Sequence, residues 1–157
     1  MTKEKGISQL KIKPQPAALL WGWLGVLPFV ALTATNSLAI GEVHFWAAQI
    51  LTHYGAIILT FMGGVHWGIA LTTQDRNRVY LYTVGIMPSL ISVVAILLPA
   101  KYALLVLVAG FIALLLYDLC LVRKEVLPAW YGGLRLNLTL TVALCLIIAS
   151  ATVWIEN

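Results

Sequence analysis

Five apolar stretches, each about as long as a membrane is thick, make up most of this sequence. Their approximate limits are 17–39, 45–71, 79–98, 102–122 and 131–155. A helix needs about 20 residues to cross the hydrocarbon layer of a bilayer. Because backbone groups in lipid must find partners inside the protein, helices are expected here rather than open strands. The sequence therefore predicts an all-α integral membrane bundle of five transmembrane helices.

The composition supports membrane insertion, because 61% of the residues are apolar and only 10% are charged. Soluble proteins carry about 25% charged residues. The two cysteines lack the spacing of a zinc site or a disulfide framework. The motifs of zinc metalloproteases, serine hydrolases and P-loop enzymes are also missing from the sequence. We therefore expect a non-enzymatic protein without a cofactor or a metal.

Charge divides the chain into a basic tail, residues 1–16, and a transmembrane domain, residues 17–155, whose loops are short. Nine of the ten Lys and Arg residues fall on the N-terminal side of the bundle, and Lys101 falls on the other. Because positive loops stay in the cytoplasm, the N-terminus is predicted to be cytoplasmic and the C-terminus to lie outside. Topology thus explains the net charge of +4, and no nucleic-acid partner is expected. The alternative for the first stretch is a cleaved signal peptide.

Small residues recur at every fourth position of the second apolar stretch. They are Ala48, Thr52, Ala56, Thr60, Gly64, Gly68 and Thr72, which we call the small-residue row. Small side chains let two helices approach closely, which matters in lipid because apolar burial does not drive helix association there. The members predicted to pack against another helix are Ala56, Thr60, Gly64 and Gly68. The partner helix belongs either to the same chain or to a second copy in a homodimer.

Polar side chains from three of the predicted helices share one depth in the membrane. At about 1.5 Å of rise per residue, they lie between about 6 Å and about 9 Å inside the cytoplasmic boundary. The members are His66, Asp118, Arg135 and Asn137, with Tyr117 and Trp67 close by. We call these six residues the predicted polar cluster. A charge inside a membrane is costly unless an opposite charge offsets it, so Asp118 is expected to pair with Arg135.

Two interpretations of the predicted polar cluster follow from its chemistry. A structural ion pair would fix the register of the helices and create no binding site. A cytoplasm-facing polar pocket or a proton relay would instead use His66, whose charge can change between about pH 5 and about pH 8. Two other sites offer less, because a haem at His53 and His66, or a metal among Glu42, His44, Gln49 and His53, would lack further ligands.

Two segments of the sequence resemble a known family. They are YGAIILTFMGGVHWG, residues 54–68, and LPAWYGGLRLNLT, residues 127–139. Both are similar to segments of small, uncharacterised bacterial inner-membrane proteins related to mitochondrial transmembrane protein sixty-nine. The resemblance implies a multi-helix protein of the bacterial or mitochondrial inner membrane, and it implies no known activity. It also implies that arginine can stand at the position of His66, which favours a role for positive charge there.

The sequence therefore predicts a non-enzymatic, polytopic inner-membrane protein that serves as a scaffold or as an accessory component of a membrane complex. Its expected partners are the lipid bilayer and either another membrane protein or a second copy of the chain. The alternative function is the binding or transport of a small solute or of protons at a pocket around His66, Asp118 and Arg135.

Overall fold

Six α-helices make up almost all of the computed structural model, which describes residues 15–72 and 78–156. They are α1 (Pro16–Leu24), α2 (Leu27–Leu38), α3 (Glu42–Thr72), α4 (Arg78–Leu97), α5 (Ala100–Arg123) and α6 (Ala129–Glu156). Helices α1 and α2 follow each other as one apolar span, so the described residues contain five spans that are long and apolar enough to cross a membrane. The predicted five-helix membrane bundle is confirmed. Most of the basic tail, residues 1–14, and Arg76 lie outside the described residues.

The first span is broken between α1 and α2, at Gly25 and Val26. Pro28 lies in the first turn of α2, where its missing backbone N–H is tolerated. The hydroxyl of Tyr54 on α3 donates a 2.9 Å hydrogen bond to the carbonyl oxygen of Gly25 at this break. Because a carbonyl in lipid has no water to bind, this side chain stabilises the break.

Helix α3 lies at the centre of the bundle and contacts α2, α4, α5 and α6. The core is built from large apolar side chains that are almost completely buried. Examples are Phe29, Leu51, Leu59, Leu107, Phe111 and Leu146. The ring of Phe29 packs edge-on against Tyr54 and Phe111, with centroid distances of 4.9 Å and 6.2 Å. These contacts hold the broken first span against α3 and α5.

Helices α3 and α4 approach each other closely where two glycines meet. A Cβ atom on Gly63 would overlap the carbonyl oxygen of Gly85 and would come within 3.1 Å of Pro88. Farther along the same contact, the hydroxyl of Ser92 donates a 2.9 Å hydrogen bond to the carbonyl oxygen of Ala56. The two helices are therefore held by backbone proximity at one level and by a side-chain hydrogen bond at another.

The small-residue row does not form a single packing surface. Its buried members are Ala48, Thr52 and Ala56, and its exposed members are Thr60, Gly64, Gly68 and Thr72. A Cβ atom on Gly64 or Gly68 would have nothing within 4 Å among the described residues. The row turns around the helix by about 40° per step, so it leaves the interior partway along α3. The prediction that Thr60, Gly64 and Gly68 pack against a helix of the same chain is therefore wrong. The glycine beside them that packs against α4 is Gly63.

Candidate functional site: a buried charged cluster beside a cavity

The carboxylate of Asp118 on α5 joins three helices. Its Oδ1 atom lies 3.0 Å from Nε2 of His66 on α3. Its Oδ2 atom accepts a 2.6 Å hydrogen bond from Nε of Arg135 on α6. We call these three residues the Asp118 cluster. The structure thus brings together three of the six residues of the predicted polar cluster.

The Asp118 cluster is almost entirely buried. His66 and Asp118 are each 1% exposed, and Arg135 is 4% exposed. With His66 neutral, the positive charge of Arg135 balances the negative charge of Asp118. Attraction within a buried pair offsets the cost of desolvation only when hydrogen bonds also satisfy the remaining polar atoms. The atoms that stay unsatisfied therefore decide what else the cluster can do.

The other residues of the predicted polar cluster lie in different environments. Tyr117 is close, with its ring centroid 5.2 Å from that of His66. Trp67 is 45% exposed and packs against a tyrosine of α4, and Asn137 is exposed. Grouping these last two with the cluster is therefore wrong. Equal depth does not mean equal direction, because about 100° of helix turn separates neighbouring residues and about 200° separates Asn137 from Arg135.

Two residues beside Arg135 are not among the six of the predicted polar cluster, whose members share a depth. The sulfur of Met62 on α3 lies 2.8 Å from Nη1 of Arg135, for which it is a weak acceptor. Thr139 follows Arg135 by one helical turn and is 2% exposed. The positions of Met62 and Thr139 could have been predicted from the sequence, because residues four apart on a helix share a face. Met62 precedes His66 by four residues, as Arg135 precedes Thr139.

A cavity of about 160 Å³ lies beside the Asp118 cluster, between the broken first span, α3 and α6. Arg135 and Thr139 are polar residues of its wall, and the rest of the lining is mainly apolar. Trp21 and Phe61 also line it and are 70% and 66% exposed, so the cavity opens toward the lipid-facing outside of the bundle. The cavity beside the Asp118 cluster is therefore largely apolar, with two polar residues in its wall, whereas the predicted pocket was polar and faced the cytoplasm.

Two side chains in the cavity wall carry buried donors that have no hydrogen-bond partner among the described residues. These donors are Nη2 of Arg135 and the hydroxyl of Thr139. Nδ1 of His66 and Nε1 of Trp130 are also buried and have no partner within residues 15–72 and 78–156, but neither residue lines the cavity. A buried, unsatisfied polar group costs about 1–3 kcal/mol. A molecule in the cavity that accepts hydrogen bonds from both donors would remove this cost.

A second polar group, at the far end of α3, serves to hold the turn between α2 and α3. Nδ1 of His44 lies 2.6 Å from the backbone oxygen of Asn36, and the side-chain amide of Asn36 donates to the backbone oxygen of His44 at 3.2 Å. Thr152 on α6 donates a hydrogen bond to the side-chain oxygen of Asn36. Within residues 15–72 and 78–156, no group of three or more His, Cys, Asp and Glu side chains could hold a metal ion.

Similarity to known proteins covers nearly the whole chain. A family model, DUF3429, described as a protein of unknown function, matches residues 14–151. Transmembrane protein 69 of Xenopus tropicalis is 33% identical over 148 residues, which cover 90% of this chain. The chain spans 56% of that relative's length. No solved structure matches it. The resemblance drawn from residues 54–68 and 127–139 is confirmed.

Proposed function

We propose that this chain, which belongs to DUF3429, a family of proteins of unknown function, is a non-enzymatic multi-pass membrane protein that binds a small molecule within the bilayer. The observation that supports this function is the cavity between the first span, α3 and α6. Ligand sites are typically concave and mostly apolar, with a few polar groups that fix the orientation of the ligand. The apolar lining suits the body of a molecule dissolved in lipid, and the donors of Arg135 and Thr139 suit its polar end.

In this function Asp118 positions Arg135 and does not itself contact the ligand. The bond from Nε to Asp118 and the contact of Nη1 with Met62 fix two corners of the guanidinium group. The third corner, Nη2, is then held in place before a ligand arrives. Preorganisation of this kind lowers the entropic cost of binding.

Filling the cavity tests the proposed function. Ile58 is half-buried and lines the cavity, whereas its neighbour Ile57 is 63% exposed and does not. We expect Ile58→Trp to lose the small molecules that co-purify with the wild-type protein in a neutral detergent. Ile57→Trp adds the same bulk on the lipid-facing side and should retain them. Native mass spectrometry of the three proteins measures the bound molecules directly.

Two results would argue against binding in the cavity. One is that Ile58→Trp, folded and stable, retains the same bound molecules as the wild type. The other is that both tryptophan variants lose these molecules equally, which would place the binding on the outer surface of the bundle.

A second candidate function is that of an accessory component of a membrane complex. The observation that favours it is that Thr60, Gly64 and Gly68 lie exposed along one side of α3, whereas Gly63 beside them packs tightly against α4. Small residues on a lipid-facing surface allow a helix of another membrane protein to approach closely. This candidate assigns no ligand to the cavity and is tested separately.

Co-purification in mild detergent tests the accessory function. Gly64→Leu places a large side chain where the partner helix would lie, so a co-purifying partner should be lost. Gly133→Leu on α6 is the matched control, because Gly133 is also exposed and also has nothing within 4 Å of a Cβ atom. Equal recovery of partner proteins with both variants would exclude this surface. Recovery of only a second copy of the chain would identify a homodimer.

We further propose that the protein resides in the inner membrane of a bacterium, or of the mitochondrion if the source is eukaryotic. The support is the resemblance of residues 54–68 and 127–139 to bacterial inner-membrane proteins. Fractionation of cells that express the tagged protein tests the location. Recovery in the inner-membrane fraction is expected, and recovery in another membrane would contradict it.

A further inference from the structure

We infer that the ligand of this cavity is a single-chain amphiphile with an acid group, a carboxylate or a phosphate, at its polar end. The inference rests on the proposed function and adds the chemical class of the ligand. Two observations carry it: the cavity is mostly apolar, and two residues that line it, Arg135 and Thr139, carry buried donors, Nη2 and the hydroxyl, that have no partner in the described part of the chain.

The arrangement of the two donors fits an acid group. Arg135 and Thr139 are four residues apart on α6, so their side chains are neighbours on one face of the helix. Two oxygens of one carboxylate or phosphate can accept from both donors at once. Guanidinium forms stronger hydrogen bonds with charged acceptors than with neutral ones. An alcohol offers a single oxygen and adds a proton that needs an acceptor of its own.

The size and the opening of the cavity fit one acyl chain. A dry cavity of about 150 Å³ holds a molecule the size of benzene. The cavity of about 160 Å³ therefore holds the acid group and the first part of a chain. The remainder of the chain passes the exposed side chains of Trp21 and Phe61 and continues into the lipid.

The acid group shares the guanidinium of Arg135 with Asp118, whose Oδ2 atom accepts from Nε and leaves Nη2 for the ligand. The imidazole of His66 faces the other oxygen of Asp118, with its Nε2 atom 3.0 Å away. The other titratable side chains near the Asp118 cluster are Tyr80 on α4, Tyr117 and Cys120 on α5, and Tyr131 on α6.

Competition for a fluorescent fatty acid tests the inference. The full-length protein in phosphatidylcholine nanodiscs is loaded with dansyl-labelled undecanoate, which is then displaced with dodecanoate, lysophosphatidic acid or dodecanol. We expect at least one of the two acids to displace the probe at a concentration about tenfold lower than dodecanol does. A difference of this size is what one charge-assisted hydrogen bond contributes to affinity. Displacement by dodecanoate identifies a free fatty acid as the source of the acid group, and displacement by lysophosphatidic acid identifies a lipid phosphate.

Thr139→Val supplies the variant that separates binding from folding. It keeps the shape of the side chain and removes a buried hydroxyl that has no partner, so the thermal stability of the free protein should be equal or higher. The affinity for the displacing acid should fall by about tenfold. Thr141→Val is the control, because Thr141 donates to the carbonyl oxygen of Asn137 on its own helix and does not line the cavity. Its affinity should match that of the wild type.

Three outcomes decide the matter. Equal displacement by dodecanol would overturn the acid group and leave the proposed binding function intact. An unchanged affinity in a folded Thr139→Val variant would overturn the assigned donors. Failure of the labelled acid and of dodecanol to bind at all would overturn both the inference and the proposed function.

Discussion

At the level of single residues, Asp118 differs from an ordinary buried polar group because two partners on different helices depend on it. His66 contacts one of its oxygens and Arg135 contacts the other. All three side chains are buried, so bulk water cannot replace the carboxylate of Asp118 as a partner of His66 and Arg135. Losing the carboxylate alone therefore leaves a buried guanidinium without its counter-charge, whereas losing both charges leaves an apolar contact.

We predict that Asp118→Leu lowers the free energy of unfolding by about 3–5 kcal/mol, because Arg135 then keeps an uncompensated buried charge. The double variant Asp118→Leu with Arg135→Met should recover most of this loss, because an apolar pair of similar volume is often as stable as a buried ion pair. Unfolding titrations in mixed micelles measure both values. A double variant no more stable than the single one would show that the cluster does not act as a charge pair.

At the level of helices, the contact between α3 and α4 depends on which glycine faces the neighbour. Gly63 and Gly64 are adjacent in the sequence, yet Gly63 lies against Gly85 and Gly64 lies on the open surface. The adjacent positions differ by about 100° around the helix axis, which is enough to exchange a packed interior for a lipid-facing position.

A pair of alanine substitutions tests this orientation of α3. Gly63→Ala should lower the free energy of unfolding by about 1–3 kcal/mol, because the added methyl group overlaps the backbone of α4. Gly64→Ala adds the same group at an open position, and its effect should stay within about 0.5 kcal/mol. The two variants are compared by the same unfolding titration. Equal effects would mean that α3 is rotated about its axis relative to the arrangement described here.

The helices and the pairing of Asp118 with Arg135 could be predicted from the sequence because both depend only on position along the membrane normal, which can be counted along the chain. Hydropathy along the chain marks the spans, and the cost of charge in lipid requires opposite charges at one depth. The direction in which a side chain points depends on the rotation of its helix, which tertiary packing sets. Depth alone therefore wrongly included Asn137 and Trp67. The glycine pair of the small-residue row, Gly64 and Gly68, lies on a face that no described residue of the chain covers. The cavity could not be predicted, because it forms where a broken span meets two other helices.

At the level of the whole molecule, an odd number of candidate spans, five, predicts that the two ends of the described chain lie on opposite sides of the membrane. The orientation itself stays a prediction that rests on the Lys and Arg residues of the loops and the N-terminal tail. The cluster lies toward the end of the bundle at which α3 ends and α4 begins, whereas the turn closed by His44 and Asn36 lies at the other end. The orientation therefore decides which side of the membrane lies nearer to the Asp118 cluster.

Reporter fusions test the orientation. In a bacterial host, alkaline phosphatase fused to the C-terminus should be active, because the C-terminus is predicted to lie outside. The same enzyme fused in the loop between α3 and α4 should be inactive, and a fluorescent protein fused there should be bright. The reverse pattern would contradict the charge-based topology and would place the Asp118 cluster near the outer surface.

An experimental density map of the protein, purified from native membranes in a neutral detergent, would show directly what fills the cavity between the first span, α3 and α6. We expect an elongated feature in the cavity whose polar end lies about 3 Å from both Nη2 of Arg135 and the hydroxyl of Thr139. Its other end should extend between Trp21 and Phe61 toward the lipid. A cavity closed by neighbouring side chains, or a feature whose polar end points away from Arg135, would contradict the ligand site proposed here.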